Sequence, residues 1–496
     1  MSPSRRRSIQ QPVSGRSGGL IRRPVSGRSD GLIRRPVSDR IGRFIERRSR
    51  HLLALLLGLT LLFGLREAWL AGNVLHGWDA ADYDNMATNL LAGKGFVHEI
   101  AGDLRGEPVE IRLRGHRPPA YPLFLASLYT LFGHHARAVY LAQALLFTLL
   151  GYIVYRLALL CFARRLPALL TILMYAFYLP LHGIIARIST EILFMLFLTL
   201  EVWFLVCWLR TPRHRPLVLS AVFLGLATLT RPTPFLLPFF LLFLFLAAPL
   251  PSWRHRVRAF AVHLLIALAV ISPWMVRQAM TFGTFVPVTT GGGITLWEGT
   301  AAASGWTTPG WTRPDVPEEA MREFGEYINA GPTGYSREIE LDRMARQRAI
   351  EIIRGNPGRY ARQTLVKAPK FWLGLDFETQ TPLDPVSARS VTGLLINMLL
   401  LVFAMVGAFR LVRARAGLFL IPALVILYFN LVHMFPYVLH RYSLPIQPLV
   451  MLFSAAAGAA ILDKTFGRRP DPDSQNPLAQ KPPEEAPKEE CCVGVG

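Results

Sequence analysis

Cysteine and acidic residues are both scarce in this chain. Its 496 residues include only 4 cysteines, and Asp and Glu together number 33 against 54 Lys and Arg. Cys161 and Cys207 lie within apolar runs, while Cys491 and Cys492 lie near the C-terminus. No cysteine falls in the long stretches between apolar runs, so the pattern does not support a disulfide framework or a cysteine-based zinc site.

Charged residues of either sign are also few, at 18% of the chain against 52% apolar residues, and the mean hydropathy is +0.32. Apolar runs recur from about Leu52 to Leu462, many close to the roughly 20 residues that a helix needs to cross a bilayer. These runs are continuous and do not alternate with polar residues, which is typical of buried helices. We therefore predict an all-α polytopic membrane protein.

About ten membrane spans are expected, and charge predicts their orientation. The spans are predicted at 51–71, 137–162, 166–186, 191–210, 217–232, 234–250, 260–277, 391–409, 417–434 and 443–462. If the arginine-rich N-terminus lies in the cytoplasm, the basic clusters between spans all fall on the cytoplasmic side, as the positive-inside rule requires. This arrangement accounts for the net charge of +21 without a nucleic-acid partner.

The spans divide the chain into segments of different character. A repeat of about twelve residues (PVSGRSGGLIRR and two variants) occupies Pro12–Arg47, and its Gly, Ser, Pro and Arg content predicts disorder. The predicted organisation is a basic cytoplasmic tail at 1–50, an N-terminal membrane module at 51–277 with an outer loop at 72–136, a second outer loop at 278–390, C-terminal spans at 391–462, and a disordered tail at 463–496.

Acidic and basic residues are concentrated at the predicted outer ends of apolar helices, where charge is costly and therefore indicates function. Transfer of a sugar from a polyprenyl phosphate needs such groups beside an apolar groove. Guanidinium groups bind phosphate oxygens and stabilise the charge that develops on the leaving phosphate. A carboxylate removes the proton of the attacking hydroxyl.

Several segments, in this order, resemble the GT-C fold membrane glycosyltransferases, specifically the protein-O-mannosyltransferase and aminoarabinose-transferase branch. They are WDAADYDNMATNLLAGKGF, HRPPAYPLFLASLYTLFG, STEILF, LATLTRPT, SPWMVRQAMTFGTFVPVTTGGG and HRYSLPIQP. The resemblance extends from about residue 66 to 455. It implies a GT-C bundle with two large extracytoplasmic loops.

The resemblance also implies roles for individual residues. The catalytic Asp of the family stands four residues before a Tyr, which indicates Asp79; an adjacent family Glu is replaced by Ala80, so Asp79 and Asp82 both stay candidates for the base. Residues assigned to the donor phosphate are Arg117, Arg441 and His116, and the supporting residues are Glu191, Tyr442, Arg187 and Arg231. Some relatives bind a divalent metal, but the sequence shows no clear ligand set and none is assigned.

Other interpretations of these residues stay open. Arg187 and Arg231 could be anchors at the membrane interface, and Glu191 could pair with Arg187 one turn earlier. The run Gly291–Gly293 lacks a P-loop lysine and is interpreted as a flexible loop.

The leading hypothesis for function is an inverting glycosyltransferase that moves a hexosyl or pentosyl group from a polyprenyl-phosphate sugar to a lipid, glycan or protein acceptor. It would act at the outer face of the cytoplasmic membrane. The alternatives are a transporter or flippase of lipid-linked sugars, and an inactive assembly partner in the cell envelope.

Overall fold

A computed structural model describes residues 37–77, 79–104, 107–248, 250–300, 337–373 and 388–465. The expected disorder of the N-terminal repeats before residue 37 and of the tail after residue 465 lies outside this range. The first helix begins at Val37, inside the third repeat.

The described chain is a helical bundle with one β-hairpin. The helices are α1 (Val37–Ala71), α2 (Ala80–Leu91), α3 (Ala120–Phe132), α4 (Ala136–Phe162), α5 (Arg165–Phe177), α6 (Leu179–His182), α7 (Glu191–Arg210), α8 (His214–Thr230), α9 (Leu237–Ala247), α10 (Trp253–Phe282), α11 (Gly292–Thr300), α12 (Glu338–Gly355), α13 (Pro357–Leu373), α14 (Ala388–Arg413), α15 (Leu420–Met434) and α16 (Gln447–Thr465). Short 3₁₀ helices precede three of them, at Thr233–Leu236, Gly417–Phe419 and His440–Ile446.

Seven helical segments of the described chain are long and apolar enough to span a membrane, which confirms a polytopic helical membrane protein. They are Arg47–Ala71, Ala136–Phe162, Glu191–Arg210, Trp253–Phe282, Thr392–Arg413, Gly417–Met434 and His440–Thr465. The three other predicted spans form shorter apolar helices, namely Arg165–Phe177, His214–Thr230 and Thr233–Ala247. Arg165–Phe177 is shorter than its predicted span because the helix ends at Tyr178, before Pro180, while the other two are about as long as the spans predicted at 217–232 and 234–250.

Helix α7 lies at the centre of the bundle. In its apolar window 83% of the residues are buried, against 17% for Thr392–Arg413. A helix that is apolar on every side must be enclosed by other helices or lipid, and α7 is enclosed by α4 and α8. Its first residue, Glu191, is therefore held at a fixed position at one end of the bundle.

The segment at 72–136, predicted to be the first outer loop, contains structure that the sequence did not predict. Strands β1 (His98–Leu104) and β2 (Glu107–Leu113) form an antiparallel hairpin between α2 and α3. Two side chains of α2 hold the start of the hairpin: Asn85 accepts the backbone N–H of Glu99 at 2.7 Å, and Asn89 donates to the Val97 carbonyl at 3.0 Å. The hairpin thus begins and ends beside α2.

A buried amide on α4 fixes the helices of this loop to the bundle. Gln143 accepts a hydrogen bond from the Tyr121 hydroxyl at 2.9 Å and donates to the backbone carbonyls of Ile185 and Arg187 at 2.8 Å each. Tyr121 in turn packs edge-on against Tyr83 of α2, with ring centroids 5.0 Å apart. This network determines where α2 stands relative to the start of α7.

The second outer segment, as we call the loop predicted at 278–390, is held to the spans through contacts with backbone groups. The expectation that Gly291–Gly293 is a flexible loop is wrong, because α11 begins at Gly292 and the Gly293 N–H donates to Asp342 of α12 at 2.5 Å. On α13 the buried ammonium of Lys367 donates to the carbonyls of Gly299, Phe435 and Pro436 at 2.9, 3.2 and 2.9 Å. Lys367 thereby ties α13 to the stretch that leads into the last span.

Helices α14 and α16 approach so closely at Gly407 that an added Cβ would overlap the Phe453 carbonyl oxygen. We predict that Gly407→Ala destabilises the protein by about 1–3 kcal/mol because the two helices must separate. Gly393, on the same helix, has no atom within 4 Å of an added Cβ and is the matched control. Thermal unfolding in detergent should show a lower Tm for Gly407→Ala alone; equal Tm values for both variants would contradict this packing.

Candidate functional site

Charged residues from both halves of the chain meet at one end of the bundle, around the carboxylate of Asp79. Asp79 precedes α2 and forms no side-chain cap of that helix. One of its oxygens accepts from Arg117 Nη2 at 2.8 Å, and the other lies 2.9 Å from Arg441 Nη1. The side chain is only 14% exposed, so both guanidinium groups compensate a largely desolvated charge.

Asp82, one turn along α2, shares Arg117 with Asp79. Its Oδ2 accepts from Arg117 Nε at 3.2 Å and from Nη2 at 2.7 Å. Two imidazole Nε2 atoms, from His98 and His116, each lie 3.6 Å from this carboxylate. Arg117 also lies over the Tyr83 ring, at 5.3 Å from its centroid, so its guanidinium is fixed on three sides.

The pKa values of Asp82 and Arg117 are shifted in opposite directions, and the attraction between the two side chains contributes to both shifts. Burial alone would raise the pKa of Asp82, but its contacts with His116 and the positive charge of Arg117 hold that pKa well below its usual value. Burial would lower the pKa of Arg117, but the negative charges near it, including those of both aspartates, raise it. Both groups therefore stay ionised at neutral pH.

A second ion pair lies beside the first. Glu191, at the start of α7 and 5% exposed, has Oε1 at 3.2 Å from Arg231 Nη1, at the end of α8. The interpretation that Glu191 pairs with Arg187 is wrong, because packing of α7 against α8 brings Arg231 to it. Arg187 is exposed, and its backbone carbonyl accepts from Gln143.

Tyr442 joins the two ion pairs. Its ring lies between cations, at 5.3 Å from the Arg231 guanidinium carbon and 5.7 Å from that of Arg441. The ring also stacks on His433 with centroids 4.8 Å apart. The aromatic ring therefore holds the two arginines in one region, while Arg231 pairs with Glu191 and Arg441 pairs with Asp79.

The structure thus brings together eight of the nine residues singled out from the sequence, and it leaves out Arg187. The eight are Asp79, Asp82, His116, Arg117, Glu191, Arg231, Arg441 and Tyr442. Their catalytic and binding roles stay predictions. His98 was missed, and its position in the hairpin, sixteen residues from Asp82, gave no sequence signal.

The charges of this site are balanced. Its carboxylates are those of Asp79, Asp82 and Glu191, and its guanidinium groups are those of Arg117, Arg231 and Arg441. Arg441 Nε is nevertheless buried and donates no hydrogen bond to any described residue, and Glu191 Oε2 likewise accepts none. Each of these atoms is therefore open to a hydrogen bond from a group outside the described residues.

The donor set does not favour a metal ion. Among the described residues no three His, Cys, Asp or Glu side chains are grouped as metal ligands. Both carboxylate oxygens of Asp79 and one of Asp82 contact guanidinium groups. We therefore derive no step that uses a metal.

The family model for dolichyl-phosphate-mannose-protein mannosyltransferases matches residues 116–276, which include His116, Arg117, Glu191 and Arg231. A comparison with curated protein sequences gives no match.

The solved structures of similar fold include an oligosaccharyltransferase from Archaeoglobus fulgidus tethered to an acceptor peptide. It is 14% identical with a TM-score of 0.51, and the match covers 86% of this chain and 52% of that one. The archaeal AglB complex with an inhibitory peptide and a dolichol-phosphate has 14% identity, a TM-score of 0.50, and coverage of 84% and 51%. ArnT from Cupriavidus metallidurans bound to undecaprenyl phosphate has 14% identity, a TM-score of 0.37, and coverage of 83% and 79%.

This chain spans about half the length of the archaeal enzymes that it matches.

We predict that Arg231→Met destabilises the fold by about 3 kcal/mol, because it leaves the buried Glu191 carboxylate without its partner. The double variant Glu191→Gln/Arg231→Met should recover most of the lost stability. Arg66→Ala, which breaks an exposed pair with Glu67, is the control and should leave Tm unchanged.

Thermal unfolding of the four purified proteins measures this. A Tm for Arg231→Met equal to that of the wild type would show that the pair is not desolvated. The apolar helical bundle and its likeness to the archaeal enzymes show that the chain is a polytopic membrane protein with their GT-C fold, and its residues 116–276 match the family model for dolichyl-phosphate-mannose-protein mannosyltransferases.

Proposed function

We propose that this protein is an inverting glycosyltransferase that transfers a hexosyl or pentosyl group from a polyprenyl-phosphate donor to an acceptor hydroxyl at the outer face of the cytoplasmic membrane. The observation that carries the proposal is the Asp79 carboxylate shared by Arg117 and Arg441, from the first outer loop and from the start of the last span. The match over residues 116–276 and the dolichol-phosphate bound by archaeal AglB support a lipid-linked donor.

The donor phosphate would bind by replacing the Asp79 carboxylate as the partner of Arg117 and Arg441. Because carboxylates and guanidinium groups are balanced in the site, an incoming phosphodiester finds no unpaired arginine. It can compete for Arg117 and Arg441, whose geometry suits two oxygens of one phosphate, and it can use the free N–H of Arg441 Nε. Binding of the phosphate to these arginines releases Asp79.

This exchange favours Asp79 over Asp82 as the base. Asp82 keeps contacts with two histidines and has its pKa held well below the usual value, which makes it a weak proton acceptor. Asp79 loses both of its partners when the phosphate takes them. The carboxylate then becomes available at the moment when the donor is in place, so that donor binding precedes proton removal.

The reaction is a single displacement. The acceptor oxygen attacks the anomeric carbon, the bond from that carbon to the phosphate oxygen breaks, and the hydroxyl proton passes to Asp79. The departing polyprenyl phosphate takes the bonding electron pair, and the guanidinium groups of Arg117 and Arg441 stabilise the added charge. One displacement inverts the configuration at the anomeric carbon.

Asp79→Asn should lower sugar transfer by about 10²-fold or more while the donor lipid still binds, because an amide cannot accept the proton. The measurement is transfer of a radiolabelled sugar from polyprenyl phosphate to acceptors in membranes containing the purified protein. Asp84→Asn is the matched control: it lies on the same helix but pairs with Tyr129 and His134, and it should retain transfer.

Retention of full transfer by both Asp79→Asn and Asp82→Asn would overturn the mechanism. Movement of the labelled lipid between leaflets without any transfer would instead indicate a flippase.

Arg441→Ala should weaken binding of polyprenyl phosphate by about tenfold or more, since one charge-assisted contact to the phosphate is lost. Arg137→Ala, which removes an exposed arginine packed on Trp69, is the control and should bind as the wild type does. The rise in melting temperature with lipid concentration measures the affinity of each variant for polyprenyl phosphate. Equal affinities of the two variants would place the phosphate elsewhere.

A further inference from the structure

The turn that carries His116 and Arg117 is held by a residue that lies more than two hundred positions further along the chain. Glu338, the first residue of α12, accepts the backbone N–H of Arg114 at 2.5 Å through Oε1 and that of Gly115 at 3.0 Å through Oε2. The Thr290 hydroxyl also donates to Oε2, at 2.7 Å. One carboxylate thus receives three hydrogen bonds, two of them from consecutive residues of the turn.

Burial makes this contact strong. Glu338 is 5% exposed, so its charge depends on these donors and on the positive end of the helix that it begins. Hydrogen bonds to an ionised group are stronger than those between neutral groups. A side chain in this position restrains the backbone of the turn as well as stabilising the fold.

The turn is shaped to fit the contact. An added Cβ at Gly115 would lie 2.8 Å from both the Phe282 ring and Thr290 Cγ2, so only glycine allows this approach. The Gly115 carbonyl accepts the Thr290 N–H at 2.8 Å, so both backbone groups of the glycine are used. From α10, Arg277 donates to the carbonyls of Arg114 at 2.5 Å and Phe96 at 3.0 Å and closes the base of the hairpin.

Arg117 therefore stands between two restraints. On one side the Glu338 carboxylate fixes Arg114 and Gly115, and on the other Pro118 and Pro119 limit the backbone. The Arg117 guanidinium must reach both Asp79 and Asp82, and it must reach the donor phosphate when one binds. Its position depends on the backbone that these restraints hold.

We propose that Glu338 is a positioning residue for the donor phosphate, acting through the Arg114–Arg117 turn. This inference rests on the proposed function. It gives the second outer segment a part in donor recognition, although no residue of α12 touches Asp79, Arg117 or Arg441 in the described contacts. Glu338 does not take part in the chemical step.

The test measures binding of undecaprenyl phosphate to the full-length protein in detergent, from the shift in melting temperature with lipid concentration. Glu338→Gln should weaken binding by about tenfold, because the amide cannot accept from both N–H groups in the same way. Thr290→Val, which removes only the hydroxyl donor, should weaken binding less and in the same direction. If Glu338→Gln does not fold, lipid binding by Thr290→Val tests the proposal instead.

Glu340→Gln is the matched control, since Glu340 lies on the same turn of α12, is about half exposed and pairs only with Arg337 among the described contacts. Its affinity should equal that of the wild type. A positioning role predicts in addition that Glu338→Gln has no further effect in an Arg117→Ala background, because the residue through which it acts is gone. If Glu338 had a purely structural role, Glu338→Gln would weaken lipid binding equally in the wild-type and Arg117→Ala backgrounds.

The outcomes separate the two proposals. If the wild type does not bind undecaprenyl phosphate, the proposed function fails and this inference fails with it. Two other results would overturn only the positioning role of Glu338. In the first, the wild type binds the lipid and both Glu338→Gln and Thr290→Val bind it as tightly as the wild type does. In the second, Glu338→Gln weakens lipid binding in the Arg117→Ala background as well.

Discussion

The sharing of one buried carboxylate by two arginines is the interaction on which the site depends. Asp79 joins Arg117, from the segment between α2 and α3, to Arg441, from the start of the last span. An unpaired charge in this place would cost several kcal/mol, so each of the three groups needs the others when no ligand is present. The same balance makes the arginines available only to a group that can replace a carboxylate, and a phosphodiester is such a group.

The helical bundle follows from simple sequence patterns. Apolar runs predicted the helices, and the grouping of acids and arginines at one end of those helices predicted that residues such as Asp79 and Arg117 belong together. One predicted span, 166–186, departs from that prediction because apolar composition does not show that its helix ends at Tyr178, before Pro180. Apolar length alone therefore does not show where a helix ends.

Contacts between distant segments could not be predicted in the same way. Glu191 pairs with Arg231 forty residues away, and not with Arg187 one turn away, because the packing of α7 against α8 decides the pair. In the hairpin at 98–113 the alternation of Val109, Ile111 and Leu113 with charged residues is confined to the second strand and was not used in the prediction. Glu338 resembles any acidic residue in the first turn of an amphipathic helix. Such roles depend on three-dimensional proximity, which a single sequence does not encode locally.

Lys367 gives the second outer segment a further connection. Its ammonium holds the carbonyls of Phe435 and Pro436, on the stretch that leads to Arg441, while Glu338 in the same segment holds the turn that leads to Arg117. Helices α12 and α13 thus bridge the backbones that present both guanidinium groups. A displacement of this bridge would move the two cations in concert, so the affinity of the site for an anion would switch as one unit and would not decline one arginine at a time.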